Sequence, residues 1–327
     1  MRRKLFRNLL GTLASCAIVS VGLSAGTAAA QSKNLVYITP SLNVSFWRYV
    51  ATGVEANAKA AGYTLTTLDS NNDGGTQLKN AQDALAKGAA GIVISPTDSS
   101  TAPSVLELAE KAGVPVVICD IGTARGNYVS FVASDNLAGA RGIGDAAAAA
   151  LKAKGWTSGS YGIIAIPQTR KNGQLRTQGF REAMKAAGVT KEVPMQQMKT
   201  FTADESFRFA QDMLTANPAL RLIFVQSDQQ AIGVARAVKA ARREGQVLVA
   251  AFDGTPELLQ AIKDGTIVGS GMQQPYLMGA TAAKLLTDKL AGGTPPKEQM
   301  VEIMTVTKET AESKADQIKL NVFANNP

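Results

Sequence analysis

Several side chains able to grip a small polar molecule fall at the ends of strand-like runs. Asp253 closes the run Val247–Phe252, and Gly254, Thr255 and Pro256 then turn the chain into a helix, with Thr255 as its cap and Pro256 at the first helical position. Asp120 closes Val114–Cys119, Ser227 and Asp228 follow Arg221–Gln226, and Gln273 follows Thr266–Met272. The C-terminal edge of an open α/β sheet is where such folds hold ligands. Carboxylates and amides there can engage the hydroxyl groups of a sugar or polyol, while an aromatic face covers its C–H side. Phe46 and Trp47, at the start of the first helical stretch, could supply that face. Phe46 shares a stripe with Val50 and Val54, so core packing is an equal reading for it; Trp47 lies off the stripe and points to a ligand. Turn capping is an equal reading of Asp253 taken alone. Asp120 and Asp253 facing each other across a cleft could also serve an exported carbohydrate enzyme as a carboxylate pair.

Most other chemistry is excluded. The chain has no histidine, which removes Ser-His-Asp and Cys-His catalysis and every His-ligated metal site. Of the two cysteines, Cys16 falls in the leader described below, which leaves Cys119 without a partner for an intrachain disulfide. No G-x-x-x-x-G-K-[ST] motif occurs, and Gly142-Ile143-Gly144 falls inside a helical stretch rather than at a strand-to-helix turn. Asp69–Gly75 is acidic and glycine-rich but lacks the closing Glu of a calcium loop, and reads as a solvated turn. No cofactor or metal is expected.

The elements that must position these residues repeat one unit. Leu35–Ile38, Tyr63–Leu68, Gly91–Ser95 and Val114–Cys119 read as strands, each of the first three followed by an amphipathic helix. Gly62, Gly88 and Gly113 close the helices at intervals of 26 and 25 residues, each just after a lysine-bearing last turn. One β-α step per interval predicts a parallel sheet. A second series follows: a strand at Tyr128–Ala133, a long helix at Asp135–Lys154, a strand at Tyr161–Ile166, a helix at Gly173–Ala187 and a weaker strand at Val193–Lys199. Further strands are expected at Arg221–Gln226, Val247–Phe252, Thr266–Met272 and near Glu302–Val306. Two half-chains of the same grammar, with no flexible tether between them, predict two similar lobes, a cleft and a hinge of short crossovers.

The chain has 327 residues, more than one typical core and enough for two α/β lobes. Arg2, Arg3, Lys4 and Arg7, the apolar run Leu9–Leu23 and Ala28-Ala29-Ala30 form a secretory leader, too short for a membrane anchor, with cleavage expected near Ala30. Leu13-Ala14-Ser15-Cys16 resembles a lipoprotein box, but lipidation of Cys16 would leave Ala17–Leu23 as an apolar run behind it, so a cleaved leader is the preferred reading. The net charge is +8; without the four cations of residues 1–30, 30 cations face 26 anions, a net of +4 that is too small and scattered for nucleic acid. The expected organisation is a leader over 1–30, one lobe of 31–134 plus 274–302, and a second of 135–273 plus 303–327. A helix-turn-helix ahead of the first strand would make a transcription regulator, but the leader occupies that place.

From about residue 34 to 306 the chain resembles the ribose-type periplasmic sugar-binding proteins of ABC importers, of the type I fold shared with lactose-repressor-like ligand domains. The stretches NLVYITPSLNVSFWRYVATGV, GAAGIVISPTDSS, AGVPVVICD, VASDNLAG, RTQGFREAM, FVQSDQQAIG and VAAFDGTPE carry the resemblance. It implies two Rossmann-like lobes with parallel sheets, a three-strand hinge, and closure over one sugar in the periplasm. The partners it implies are an ABC permease in the inner membrane and a chemoreceptor. It places ligand contacts at Phe46, Trp47, Asp120, Phe201, Ser227, Asp253 and Gln273. Ile121 and Gln174 stand where the ribose proteins carry arginine, and Val44 and Ser227 where they carry asparagine. Losing two guanidinium groups would remove up to about ten N–H donors, which points to a deoxy-sugar, a short polyol or a sugar-like signal molecule. Ser41, Asn43 and Gln174 complete the expected site. Arg176 could compensate, but its position reads as the outer face of a helix.

Overall fold

Strand and helix alternate throughout residues 32–325, which the computed structural model of the chain describes. The leader, its cleavage near Ala30 and Cys16 lie outside the described residues. In chain order the elements are β1 (Asn34–Thr39), α1 (Ser45–Ala60), β2 (Thr64–Asp69), α2 (Gly74–Ala86), β3 (Gly91–Ile94), α3 (Ala102–Lys111), β4 (Val116–Cys119) and β5 (Ser130–Ser134). Then come α4 (Asn136–Ala153), β6 (Ser160–Ala165), α5 (Lys171–Ala186), β7 (Lys191–Glu192), β8 (Gln196–Gln197), α6 (Ala203–Ala216), β9 (Leu220–Val225) and α7 (Asp228–Ala240). The chain ends with β10 (Leu248–Phe252), α8 (Pro256–Lys263), β11 (Gly269–Met272), α9 (Pro275–Leu290), β12 (Glu298–Val301), β13 (Met304–Thr307), the short α10 (Ala315–Gln317) and a π-helical turn at Ile318–Val322. Gly62, Gly88 and Gly113 stop their helices at φ of 80, 72 and 67°, a conformation that costs glycine little.

Two sheets result, ordered β12-β5-β4-β3-β1-β2 and β13-β11-β10-β9-β6-β7, with β8 also on β6. Each belongs to one lobe. All pairings are parallel except β13, which lies antiparallel to β11. Of the strand expected over Val193–Lys199 only the two residues of β8 form, with β7 just ahead of that range and Pro194, which has no N–H to donate to a ladder, between them. β12 was not expected from the sequence: three of its four side chains are exposed, so it lacks an alternating apolar signature.

Alternation along the strands builds a core on each sheet face. In the first lobe Leu35, Tyr37, Val93 and Val117 pack with α1 and α9, and Val36, Ile38, Ile92 and Ile118 with α2 and α3. In the second, Tyr161, Ile163, Phe224 and Phe252 pack with α4 and α5, and Ile164, Ile223, Val249 and Ala251 with α6, α7 and α8. The chain crosses between lobes three times, at β5–α4, β11–α9 and β12–β13. Buried Gln274 ties two crossings together by donating from Nε2 to Glu302 O at 2.9 Å, and its Oε1 accepts from Gln317 and Asn321 of the C-terminal segment.

Candidate functional site

The C-terminal ends of both sheets meet at one cavity of about 530 Å³, within the range of small-molecule sites. The two acids arrive there by the same device. Asp120 follows β4 at φ 68° and donates its N–H to Val132 O on β5 at 2.9 Å; Asp253 follows β10 at φ 66° and donates its N–H to Gly271 O on β11 at 3.0 Å. Each backbone thus turns left-handed directly after its strand while its amide continues the ladder. Their side chains enter the cavity wall at 3 % and 8 % exposure.

Asp253 is fully engaged. Its Oδ2 accepts from Arg176 Nη1 at 3.2 Å and its Oδ1 from Gln273 Nε2 at 2.7 Å, while Ser270 Oγ donates to its carbonyl. Arg176, at 2 % exposure, also donates to Asn136 Oδ1 and Gln226 O and lies 4.0 Å over the Phe252 ring. Arg176 is therefore not a surface helix residue. Asn172 and Arg176 at the start of α5 are buried against the cleft, while Lys171 and Gln174 beside them are exposed, so the polar helix start serves both.

Asp120 is half engaged: Oδ2 accepts from Asn172 Nδ2 at 3.1 Å, while Oδ1 is buried without a donor among the described residues. Gln273 Oε1 is orphaned in the same way. Burial pushes the Asp120 carboxyl up to about 6, against Arg176 and with Asp253. Asp228, buried at the start of α7, is raised by burial and then by Asp253. Burial also brings Arg170 down to about 10, which leaves it charged at neutral pH. Cys119, next to Asp120, points into the first-lobe core, fully buried, and does not line the cavity.

Phe201 reaches the cavity from a loop fastened to the first turn of α6. Thr202 Oγ1 accepts from Glu205 N, and the Glu205 carboxylate collects the N–H groups of Lys199, Thr200 and Phe201 at 2.9, 2.9 and 3.1 Å. Burial acts upward on Glu205, but these amides hold it below its ordinary value. Phe201 itself sits at φ 56°, with its carbonyl fixed by Gln230 Nε2.

Of the ten residues expected at the site, Ser41, Asn43, Phe46, Trp47, Asp120, Phe201, Ser227, Asp253 and Gln273 line this cavity together. Phe46 and Trp47 meet edge to face, with centroids 4.7 Å apart, and belong at once to the cavity wall and the first-lobe core. Ser227 precedes α7 without using its side chain as a cap. Gln174 does not take part: it is one turn into α5, exposed, and donates to Gln168 O. Asn71, Asn72, Arg170 and Asn172 line the cavity and were not expected. The turn Asp69–Gly75 is thus more than a solvated loop: Asp69 accepts from Leu42 N and Asn71 N, which brings two asparagines to the cavity mouth. Arg170 and Arg176 bring two guanidinium groups to the wall, and both donate to protein acceptors: Arg170 to Thr97 O and Asn72 Oδ1, Arg176 to Asn136, Gln226 and Asp253.

Residues 35–294 match the family model described as the periplasmic binding protein domain. The chain belongs to that family. It is 32 % identical to the ribose import binding protein of Haemophilus influenzae over 82 % of this chain and 90 % of that protein. It is 30 % identical to the D-apiose import binding protein of Paraburkholderia graminis over 94 % and 96 %. A crystal structure of a carbohydrate transporter solute binding protein from Agrobacterium radiobacter, in complex with D-arabinose, superposes with a TM-score of 0.81 at 26 % identity, covering 90 % of this chain and all of that one.

Proposed function

We propose that this chain is the periplasmic solute receptor of an ABC importer, taking a neutral pentose, hexose or small polyol into the interlobe cavity for a permease in the inner membrane. The observation that carries the reading is a pair of buried acceptor oxygens, Asp120 Oδ1 and Gln273 Oε1, which have no donor among the described residues and sit on residues that line one cavity. Ligand hydroxyls are the donors that fit, and Trp47 and Phe201 supply apolar faces beside them. The ribose, apiose and arabinose named for similar proteins support a small sugar. The leader is removed near Ala30. Residues 31–134 plus 274–302 and 135–273 plus 303–327 move as two bodies on the crossovers, and the closed form is the one presented to the permease, with a chemoreceptor as a second docking partner.

A carboxylate-pair enzyme fits the site less well. Both oxygens of Asp253 are held by Arg176 and Gln273 and one oxygen of Asp120 by Asn172, so the pair is arranged to bind and not to shuttle protons. The test is thermal shift followed by calorimetry over neutral pentoses, hexoses and polyols. At least one should bind at micromolar affinity or tighter and raise Tm by several degrees. Asp253→Asn should remove that binding, because it leaves Arg176 buried without its counter-ion. Stabilisation by none of them overturns the reading, as does turnover of a glycoside that Asp253→Asn abolishes while binding survives.

A further inference from the structure

We infer that Arg170 is a positioning residue that clasps the two lobes over the ligand; this rests on the receptor reading and deepens it. Arg170 precedes α5 in the second lobe with its side chain 7 % exposed. Its guanidinium reaches across the cleft: Nε donates to Thr97 O at 3.0 Å, and Nη2 donates to Asn72 Oδ1 at 2.8 Å. Both partners belong to the first lobe. On its own side the guanidinium lies 5.0 Å over the ring of Phe201, so one group fixes a wall of the cavity and holds the opposite lobe against it.

The two following residues continue the contact. Lys171 N donates to Ser99 Oγ at 3.4 Å, and Asn172 Nδ2 donates to Asp120 Oδ2 at 3.1 Å. First-lobe geometry is shaped to receive them. Gln77 donates to Ser95 O and accepts from Thr97 N, which sets the turn that offers the Thr97 carbonyl. Asn71 and Asn72 are successive left-handed residues at φ 49 and 57°, which turns the Asn72 amide to the cavity mouth.

Arg170 forms no ion pair with any described carboxylate. Its donor bonds go to a carbonyl and an amide of the other lobe, and the nearby charges of Asp120 and Asp98, also of that lobe, favour its cationic form; these contacts exist only while the lobes are together. Apparent affinity is the intrinsic affinity scaled by the fraction of protein in the competent form. A contact between lobes therefore strengthens every ligand by the same factor, whereas a contact to the ligand separates one ligand from another.

That difference is the test. Arg170→Met keeps most of the stem and removes the donors; Asn72→Ala, at an exposed position, removes the receiving group. Calorimetry with D-ribose, D-allose, D-arabinose and myo-inositol, and small-angle scattering of the unliganded proteins, are read for wild type, both variants and their combination. Arg170→Met should weaken every sugar that binds by a common factor of about tenfold, the scale of a charge-assisted bond, with the rank order kept. The unliganded radius of gyration should rise. Asn72→Ala should show part of the same effect and add little on top of Arg170→Met. A changed rank order overturns the clasp in favour of direct ligand contact, and unchanged affinity with an unchanged radius overturns it outright. Should Arg170→Met fail to fold, Asn72→Ala carries both readouts. If none of these sugars binds wild type, the receptor reading for them fails while the scattering comparison still decides the clasp.

Discussion

Asp120 divides its work between two oxygens, one fixed by Asn172 across the cleft and one with no donor among the described residues. Burial holds its carboxyl at about 6 in the folded chain, against about 3.9 when unfolded. Between those values the native form keeps a proton that the unfolded chain has lost, so raising the pH from about 4 to 6 lowers the stability of the unliganded protein. Asp228, raised by burial and by Asp253, adds to the same trend. A sugar hydroxyl that donates to Oδ1 favours the ionised carboxylate. Binding should therefore release a proton and weaken by up to about tenfold per pH unit below pH 6, as measured by calorimetry between pH 5 and 7.5; a flat profile would remove Oδ1 as a ligand contact. Strand-end residues such as Asp120 and Asp253 are legible in a sequence because a run of β-formers stops at them. Arg170, Asn172 and Arg176 are not legible that way, since a polar helix start looks the same whether it faces water or a cleft.

Helix packing explains a glycine pair that resembles a nucleotide motif. A Cβ on Gly144 would lie 2.6 Å from that of Ala183, and one on Gly142 would lie 2.5 Å from Thr305 Oγ1, so these positions let α4 approach α5 and β13. The first lobe uses the same means: a Cβ on Gly53 of α1 would stand 2.1 Å from Tyr276 O, and one on Gly279 of α9 would stand 2.0 Å from Val50 O. Gly279→Ala meets backbone that cannot move aside alone. It should cost about 1–3 kcal/mol by urea unfolding, and a stability within 0.5 kcal/mol of wild type, the usual scale of surface substitutions, would show that the helices can separate freely. The helices were the most legible elements because their apolar stripes and glycine stops agree. β12 was not, because an edge strand with exposed side chains owes its place to pairing with β5, a contact between segments more than 160 residues apart.

At the scale of the molecule, the two sheets repeat one plan: an acid on the third strand from the edge, a neighbour that takes its amide, and an edge strand supplied after the chain has crossed back. The repeated β-α step predicted two lobes, but nothing local predicts which strand is reversed, and β13 runs antiparallel because the chain enters it directly from β12 without a helix between. Behind the acid of the first lobe, Cys119 is walled in by the core and its thiol is pushed well up by burial and by Asp120. This gives the protein a built-in stopwatch. A thiol reagent can reach that sulfur only when the first lobe comes apart, so its labelling rate counts unfolding events. Adding a sugar that binds should slow the count in proportion to its excess over Kd, and an unaltered rate would mean that the lobe opens without regard to what fills the cleft. In an oxidising compartment the same seclusion keeps the sulfur from mixed disulfides for as long as the fold holds.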